Sequence, residues 1–415
     1  MPLNLSKFAR TLSVETAFDV LAVAKRLKAQ GKDVVELQIG DSPFPSTRHA
    51  KAAGIDAIQA DQSHYCQSLG LASFREVVAR NYREEFGVDV SAANVVVAPG
   101  AKVLEQFFCE AVLDPGDDVL VFSPQFPTYV PNIARRSANP WFVPLKPENH
   151  FRPDANEVER FLREAKRPRA IFLNSPHNPT GGVATKEDLE GIAKLILGKE
   201  VALFSDEPYC HMVWRGKHHT PLSVDGMLDQ TIAAYTFSKS YSMSGWRLGY
   251  AVTSTSLADM LGKMINTSLS CVPPLIQLAG QAALEHDAAE RDEVMQRFRR
   301  KVDLLVETLR KVPGVKVQPP PATFYVFPDV SAICKQLGIH SHGLAMYLLE
   351  GADDRFGVAC LGGECFGSAG QGFLRFSCAE PDERLVRAME FFAEAVTRKE
   401  RVEKYLAANG KYRLV

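Results

Sequence analysis

The chain has 415 residues, 46% of them apolar and 23% charged, with a formal net charge of -1. That length can bury a large core divided between two domains. The near-zero charge removes the electrostatic case for nucleic acid or an anionic membrane as a partner. Cysteines at 66, 109, 210, 271, 334, 360, 365 and 378 make no CxxC pair and no zinc-like Cys/His spacing, so no metal is expected. They read as mostly buried thiols in a reducing, cytoplasmic setting. Met1 to Arg10 lacks the apolar core of a signal peptide, and no apolar run is long enough to span a bilayer.

In chain order, residues 14–30 predict a helix, with Val14, Phe18, Leu21, Ala24 and Leu27 near one face and Gly31 as the stop. Val34 to Ile39 predicts a strand, followed by the turn-rich Gly40-Asp41-Ser42-Pro43. From about residue 70 to 270, strands and helices alternate. Asn94–Ala98, Val119–Phe122, Ala170–Leu173, Ala202–Ser205 and Thr231–Tyr235 read as strands, and Lys102–Leu113 and 186–197 as helices. This alternation predicts an α/β domain with a mostly parallel central sheet. A long amphipathic helix, Ala288 to Lys311, opens the last part. Strands at Thr323–Phe327 and Gly372–Ser377 mix there with helices, which predicts a smaller α+β domain. The expected division is 1–48 as an N-terminal segment and part of the small domain, 49–287 as the large domain, and 288–415 as the small C-terminal domain.

In open α/β sheets, ligands bind beyond the carboxyl ends of the strands. The chemically informative segments lie there. In Thr236-Phe237-Ser238-Lys239, continuing to Arg247-Leu248-Gly249-Tyr250, Lys239 follows a strand and is suited to a Schiff base with an aldehyde. Arg247 is suited to a bidentate grip on phosphate. Taken singly, they read as a solvated lysine and a surface ion-pair arginine, but their flanks are apolar and aromatic. In Leu203-Phe204-Ser205-Asp206-Glu207-Pro208-Tyr209, a carboxylate ends an apolar strand and can hold a pyridine nitrogen protonated, with Tyr209 bonding a ring hydroxyl. Alone, Asp206 reads as a turn cap. Asn178 lies in Leu173-Asn174-Ser175-Pro176-His177-Asn178-Pro179-Thr180-Gly181-Gly182, which otherwise reads as a plain turn. Val95–Ala98 enters a helix through Gly100, and such a start binds phosphate. Phe126, just past the next strand, can stack on a flat ring, or else is core.

Together the SKxxSMSGWRxGY and NxPxNPTGG segments resemble the fold-type I pyridoxal-phosphate enzymes, specifically the class I/II aminotransferases similar to aspartate aminotransferase, over about Val34 to Ala379. The resemblance implies pyridoxal 5'-phosphate as cofactor, with an amino acid and a 2-oxo acid as substrates. By position, it implies that Lys239 carries the cofactor as a Schiff base and shuttles the proton. Asp206 would pair with the pyridine nitrogen, Tyr209 and Asn178 would bond the ring oxygen, and Phe126 would stack on the ring. Gly100, Ala101 and Lys102 amides, with Thr236, Ser238 and Arg247, would surround the phosphate. Tyr65 would reach the phosphate of a neighbouring subunit, implying a homodimer. Arg375 would clamp the substrate α-carboxylate, and Gly40 would offer substrate-side backbone. Three positions depart from the family pattern. Ala101 and Glu15 fall where one bacterial aspartate aminotransferase subgroup has a lysine and a serine, so a strict dicarboxylate preference is not expected. A carboxylate near the distal pocket would suit a cationic substrate, but Glu15 itself is expected to be a surface helix residue. Ala322 replaces a common glycine and should need a local backbone adjustment. A C–S β-lyase, an aminocyclopropane-carboxylate-synthase-like enzyme, or a non-catalytic ligand-binding protein could use the same residues.

Overall fold

The computed structural model describes residues 3–12 and 15–414. The start of the first expected helix, at Val14, lies outside them. The rest of that helix forms over Thr16–Ala29, and Gly31 follows at φ +89°, where glycine is favoured.

The strands among the described residues are β1 (Asp33–Glu36), β2 (Val95–Ala98), β3 (Asp118–Ser123), β4 (Asn139–Pro144), β5 (Pro168–Asn174) and β6 (Ala202–Asp206). They continue as β7 (Thr231–Thr236), β8 (Gly249–Val252), β9 (Tyr325–Val326), β10 (Phe356–Ala359), β11 (Leu361–Gly362) and β12 (Leu374–Ser377). Seven form one sheet in the order β2-β8-β7-β6-β5-β3-β4. Strand β8 runs antiparallel to both neighbours, and the other pairs are parallel. The central strands are apolar runs buried on both faces, as helix-covered parallel strands must be. One face packs on Phe74, Tyr82, Phe237 and Tyr250, and another core gathers Phe107, Phe108, Phe172 and Phe204. The α/β fold with its mostly parallel central sheet is therefore as expected.

Strand β1 pairs in parallel with β10, and β12 lies antiparallel between β11 and β9. Val20 and Ala24 of the first long helix share a core with Phe298, Leu305, Phe324, Leu374 and Phe392. The helix Ala288–Leu309 crosses the same core.

Two expectations need adjustment. The strand expected over Val34 to Ile39 ends at Glu36. Leu37 still donates to the Ala359 carbonyl (2.8 Å) and accepts from the Ser377 amide (2.9 Å), but the ladder then gives way to the Gly40 turn. Strands β4 and β8 carry weak sequence signals. β4 contains Pro140 and Pro144, which its edge position tolerates. β8 opens on Gly249, and a Cβ there would meet the Tyr235 carbonyl at 2.5 Å and the Gly100 backbone at 3.0 Å. Neither neighbour is a flexible side chain. Gly249→Ala should therefore cost about 1–3 kcal/mol and lower the thermal unfolding midpoint. Gly245→Ala, which adds a methyl in open space, should leave the midpoint in place.

Candidate active site

The carboxyl ends of β5, β6 and β7 open onto a cavity of about 540 Å³. It brings together Gly40, Ala101, Lys102, Phe126, Asn178, Asp206, Tyr209, Thr236, Ser238, Lys239, Arg247 and Arg375. Gly100 lies just behind this wall at φ +89°, and a Cβ there would strike the Arg247 guanidinium. Tyr65 is not among the lining residues and is 87% exposed, so its ring is open to solvent or to a second molecule.

Asp206 ends β6 and is buried. Its Oδ2 accepts a 2.6 Å hydrogen bond from the Tyr129 hydroxyl. Burial pushes its carboxyl up to about 7, and Glu207 adds to the rise, while the Tyr129 bond and Lys239 oppose it. Sequence reading singled out Phe126 but not Tyr129, whose buried ring carries the polar end that meets Asp206. The Asp206 carbonyl accepts from Asn174 Nδ2 at 2.8 Å, and Asn174 Oδ1 accepts from the Asn178 amide at 2.8 Å. This chain of bonds fixes the Asn178 loop to the end of β6.

Lys239 sits in the short helix Phe237–Ser240, capped by the Thr236 side chain. Its Nζ donates to the Gly40 carbonyl at 2.5 Å and lies 5.8 Å from the Phe324 ring centre. Tyr209 hydroxyl meets that of Tyr325 at 3.2 Å, and burial raises the Tyr209 phenol well above its usual range, so it stays protonated.

Arg247 takes a left-handed backbone (φ +56°) and donates to the carbonyls of Ser244 (2.7 Å) and Pro99 (3.1 Å). No carboxylate among the described residues pairs with it. Thr236 and Ser238 hydroxyls lie 2.9 Å apart beside it in the lining, and no side chain caps the nearby helix Lys102–Val112. A guanidinium, two hydroxyls and a free helix start suit a phosphate dianion.

Arg375 on β12 is 4% exposed. It donates to Asn178 Oδ1 (3.0 Å) and the Gln38 carbonyl (2.5 Å), and stacks 4.4 Å from the Tyr325 ring centre and 4.8 Å from that of Phe366. Its Nε is buried without a hydrogen-bond acceptor, and no described acidic side chain pairs with it. A buried cation without an anion is costly, so this one fits a ligand carboxylate.

Two expectations change here. Glu15 is not a surface helix residue. It precedes the helix Thr16–Ala29, lines the cavity and pairs with Lys102 Nζ, with only 15% of its side chain exposed. The backbone adjustment expected at Ala322 falls on its neighbour: Thr323 takes φ +66°, held by hydrogen bonds with Met212 (2.8 Å) and Trp214 (2.7 Å).

The family model for aminotransferase class I and II matches residues 32–392. The chain belongs to that family. It is 32% identical to an aspartate aminotransferase of Pyrococcus horikoshii, covering 88% of this chain and 91% of that protein. It is 33% identical to an arginine–pyruvate transaminase of Pseudomonas aeruginosa, covering 88% and 91%. The structure superposes on Thermus thermophilus aspartate aminotransferase with maleate at a TM-score of 0.87 and 31% identity, over 95% of this chain and all of that one. This aminotransferase uses pyridoxal 5'-phosphate, and the lyase reading is not favoured. The cavity suits that cofactor on its own evidence: an uncompensated carboxylate for a ring cation, an amine for an aldehyde and an unpaired arginine at a helix start for phosphate. No helix among the described residues is long and apolar enough to cross a membrane.

Asp206 also predicts how the cofactor-free protein behaves. An acid whose folded pKa of about 7 lies above its unfolded value, near 4, favours the fold most at low pH. That contribution is lost as pH rises from about 4 through 7. In the apoprotein, Asp206→Asn should therefore raise the thermal midpoint at pH 8, by a margin that shrinks at pH 5. Added pyridoxal phosphate should reverse the order at pH 8 by stabilising the wild type more.

Proposed function

We propose that this aminotransferase moves the α-amino group of an L-amino acid to a 2-oxo acid through the residues gathered in the cavity. The observation that carries the reading is the buried, anion-free Arg375 in the same cavity as Lys239 and Asp206. Arg375 binds the substrate α-carboxylate, and its stacking between Tyr325 and Phe366 holds the guanidinium plane for a two-pronged contact. Gly40 offers backbone on the substrate side. Asp206 would pair with the cofactor's ring nitrogen, and Tyr129 keeps that carboxylate oriented. Tyr209 and Asn178 would bond the ring oxygen, and Phe126 would cover the ring. Thr236, Ser238, Arg247 and the Gly100, Ala101 and Lys102 amides hold the phosphate.

Bound pyridoxal phosphate supplies the electron sink that makes the substrate Cα proton acidic. Lys239 would hold the cofactor through its Nζ, and the same nitrogen would take the substrate Cα proton. The Gly40 carbonyl, 2.5 Å from that nitrogen, keeps it on the substrate side of the cavity.

The remaining features are part of the same proposal. The protein works as a cytoplasmic homodimer in which Tyr65 of each subunit contacts the cofactor phosphate of the other. Its exposure supports this. Residues 49–287 form the large cofactor domain, and 288–415 with 1–48 form the small one, supported by the β1–β10 pairing.

Lys239→Ala should lose turnover while still binding cofactor noncovalently, as read by cofactor retention on gel filtration. Normal turnover in that variant would contradict the proposal. Arg375→Ala should raise the amino-acid KM and lower kcat/KM by an amount equivalent to about 2–5 kcal/mol. Unchanged affinity would place the carboxylate clamp elsewhere.

A further inference from the structure

The charges lining the cavity do not all belong to the reaction. Lys239, Arg247, Arg375 and Asp206 have partners in the proposal above. Lys102, Glu15, Glu105 and Asp41 remain. Asp41 lies exposed and accepts from the Ser42 amide at 2.9 Å. Glu105 is buried and held by the Thr128 hydroxyl at 2.5 Å and Asn132 at 3.4 Å, and burial beside Asp206 raises its carboxyl well above the usual range. Its carboxyl is thus satisfied by neutral donors. What is left is Lys102 and Glu15, which pair with each other.

That pair closes one wall. Lys102 Nζ lies 5.5 Å from the Phe126 ring centre, and Glu15 leads into Thr16, Ala17 and Phe18, all of which line the cavity. Cys365 and Phe366, whose ring stacks on Arg375, line the same cavity. On this wall the charged side chains Glu15 and Lys102 thus neutralise each other. Ala101 is buried on the same wall and adds no charge.

We propose that this enzyme takes amino donors with uncharged, apolar side chains, and that the Glu15–Lys102 pair excludes charged ones of either sign. A distal carboxylate must pull Lys102 from Glu15, and a distal ammonium or guanidinium must pull Glu15 from Lys102. The first exchange strands Glu15, whose side chain is only 15% exposed, and in the second the distal cation must compete with Lys102 for it. Identity near one third does not set the donor here, since the similar relatives above are named for aspartate and for arginine. The inference rests on Arg375 as the carboxylate clamp and on the transamination reading.

The test uses the holoenzyme. First, the rate constants of the amino-donor half-reaction are compared for leucine, methionine and phenylalanine, for aspartate and glutamate, and for arginine and lysine. Second, binding of 4-methylpentanoate and of glutarate is measured by calorimetry, which needs no turnover. The apolar donors and the apolar monocarboxylate should each be favoured by about tenfold or more. Glu15→Gln frees Lys102 and should raise the glutamate-to-leucine rate ratio, and glutarate affinity relative to 4-methylpentanoate, by about tenfold. A wild-type preference for aspartate and glutamate, or for arginine and lysine, would overturn the inference. So would ratios that stay unchanged in Glu15→Gln. Reaction with charged donors alone would leave transamination standing, whereas no reaction with any amino acid would overturn the transamination reading and this inference with it.

Discussion

Two buried charges of opposite sign, Asp206 and Arg375, share one cavity without pairing. The rest of the site depends on keeping them apart. If they met, they would neutralise each other and leave nothing to attract a pyridine cation or a substrate carboxylate. Asp206 is fixed at the end of β6, bonded by Tyr129. Arg375 is fixed on β12, bonded by Asn178 and the Gln38 carbonyl and flanked by Tyr325 and Phe366. Each has neutral hydrogen-bond partners, which lower the cost of burial without cancelling the charge.

The two charges come from different sheets, so the site exists only where those sheets meet. Bonds across that meeting line are short and specific. Lys239 reaches the Gly40 carbonyl beyond β1, the Tyr209 and Tyr325 hydroxyls touch, and Arg375 reaches the Asn178 loop after β5. The N-terminal segment closes the same space through Glu15 on Lys102. Binding at one sheet is thereby tied to the geometry of the other.

Much of this was legible because apolar parallel strands end where their first polar residue appears. Asp206 and Lys239 follow buried runs, and those runs already mark the mouth of the sheet. The α/β architecture was legible for the same reason. Arg375 was legible only through family resemblance, since its burial depends on rings at Tyr325 and Phe366 that no local pattern links to it. Glu15 was misread because its partner, Lys102, lies 87 positions away and the intervening chain gives no periodic signal. Tyr129 was passed over as an aromatic, although its hydroxyl is the only side chain bonded to the Asp206 carboxylate among the described residues. Strand β8 was hidden by the glycine that lets it approach Gly100.

The central claim is that this set of separated charges performs transamination. Its most direct test is the visible absorption of the purified holoenzyme before and after adding one amino acid with no 2-oxo acid present. The account predicts a cofactor band that converts stoichiometrically to the amine form, with one equivalent of 2-oxo acid released per site and no further turnover. A band that persists while pyruvate and ammonia accumulate, or a protein that takes up no cofactor at all, would contradict it.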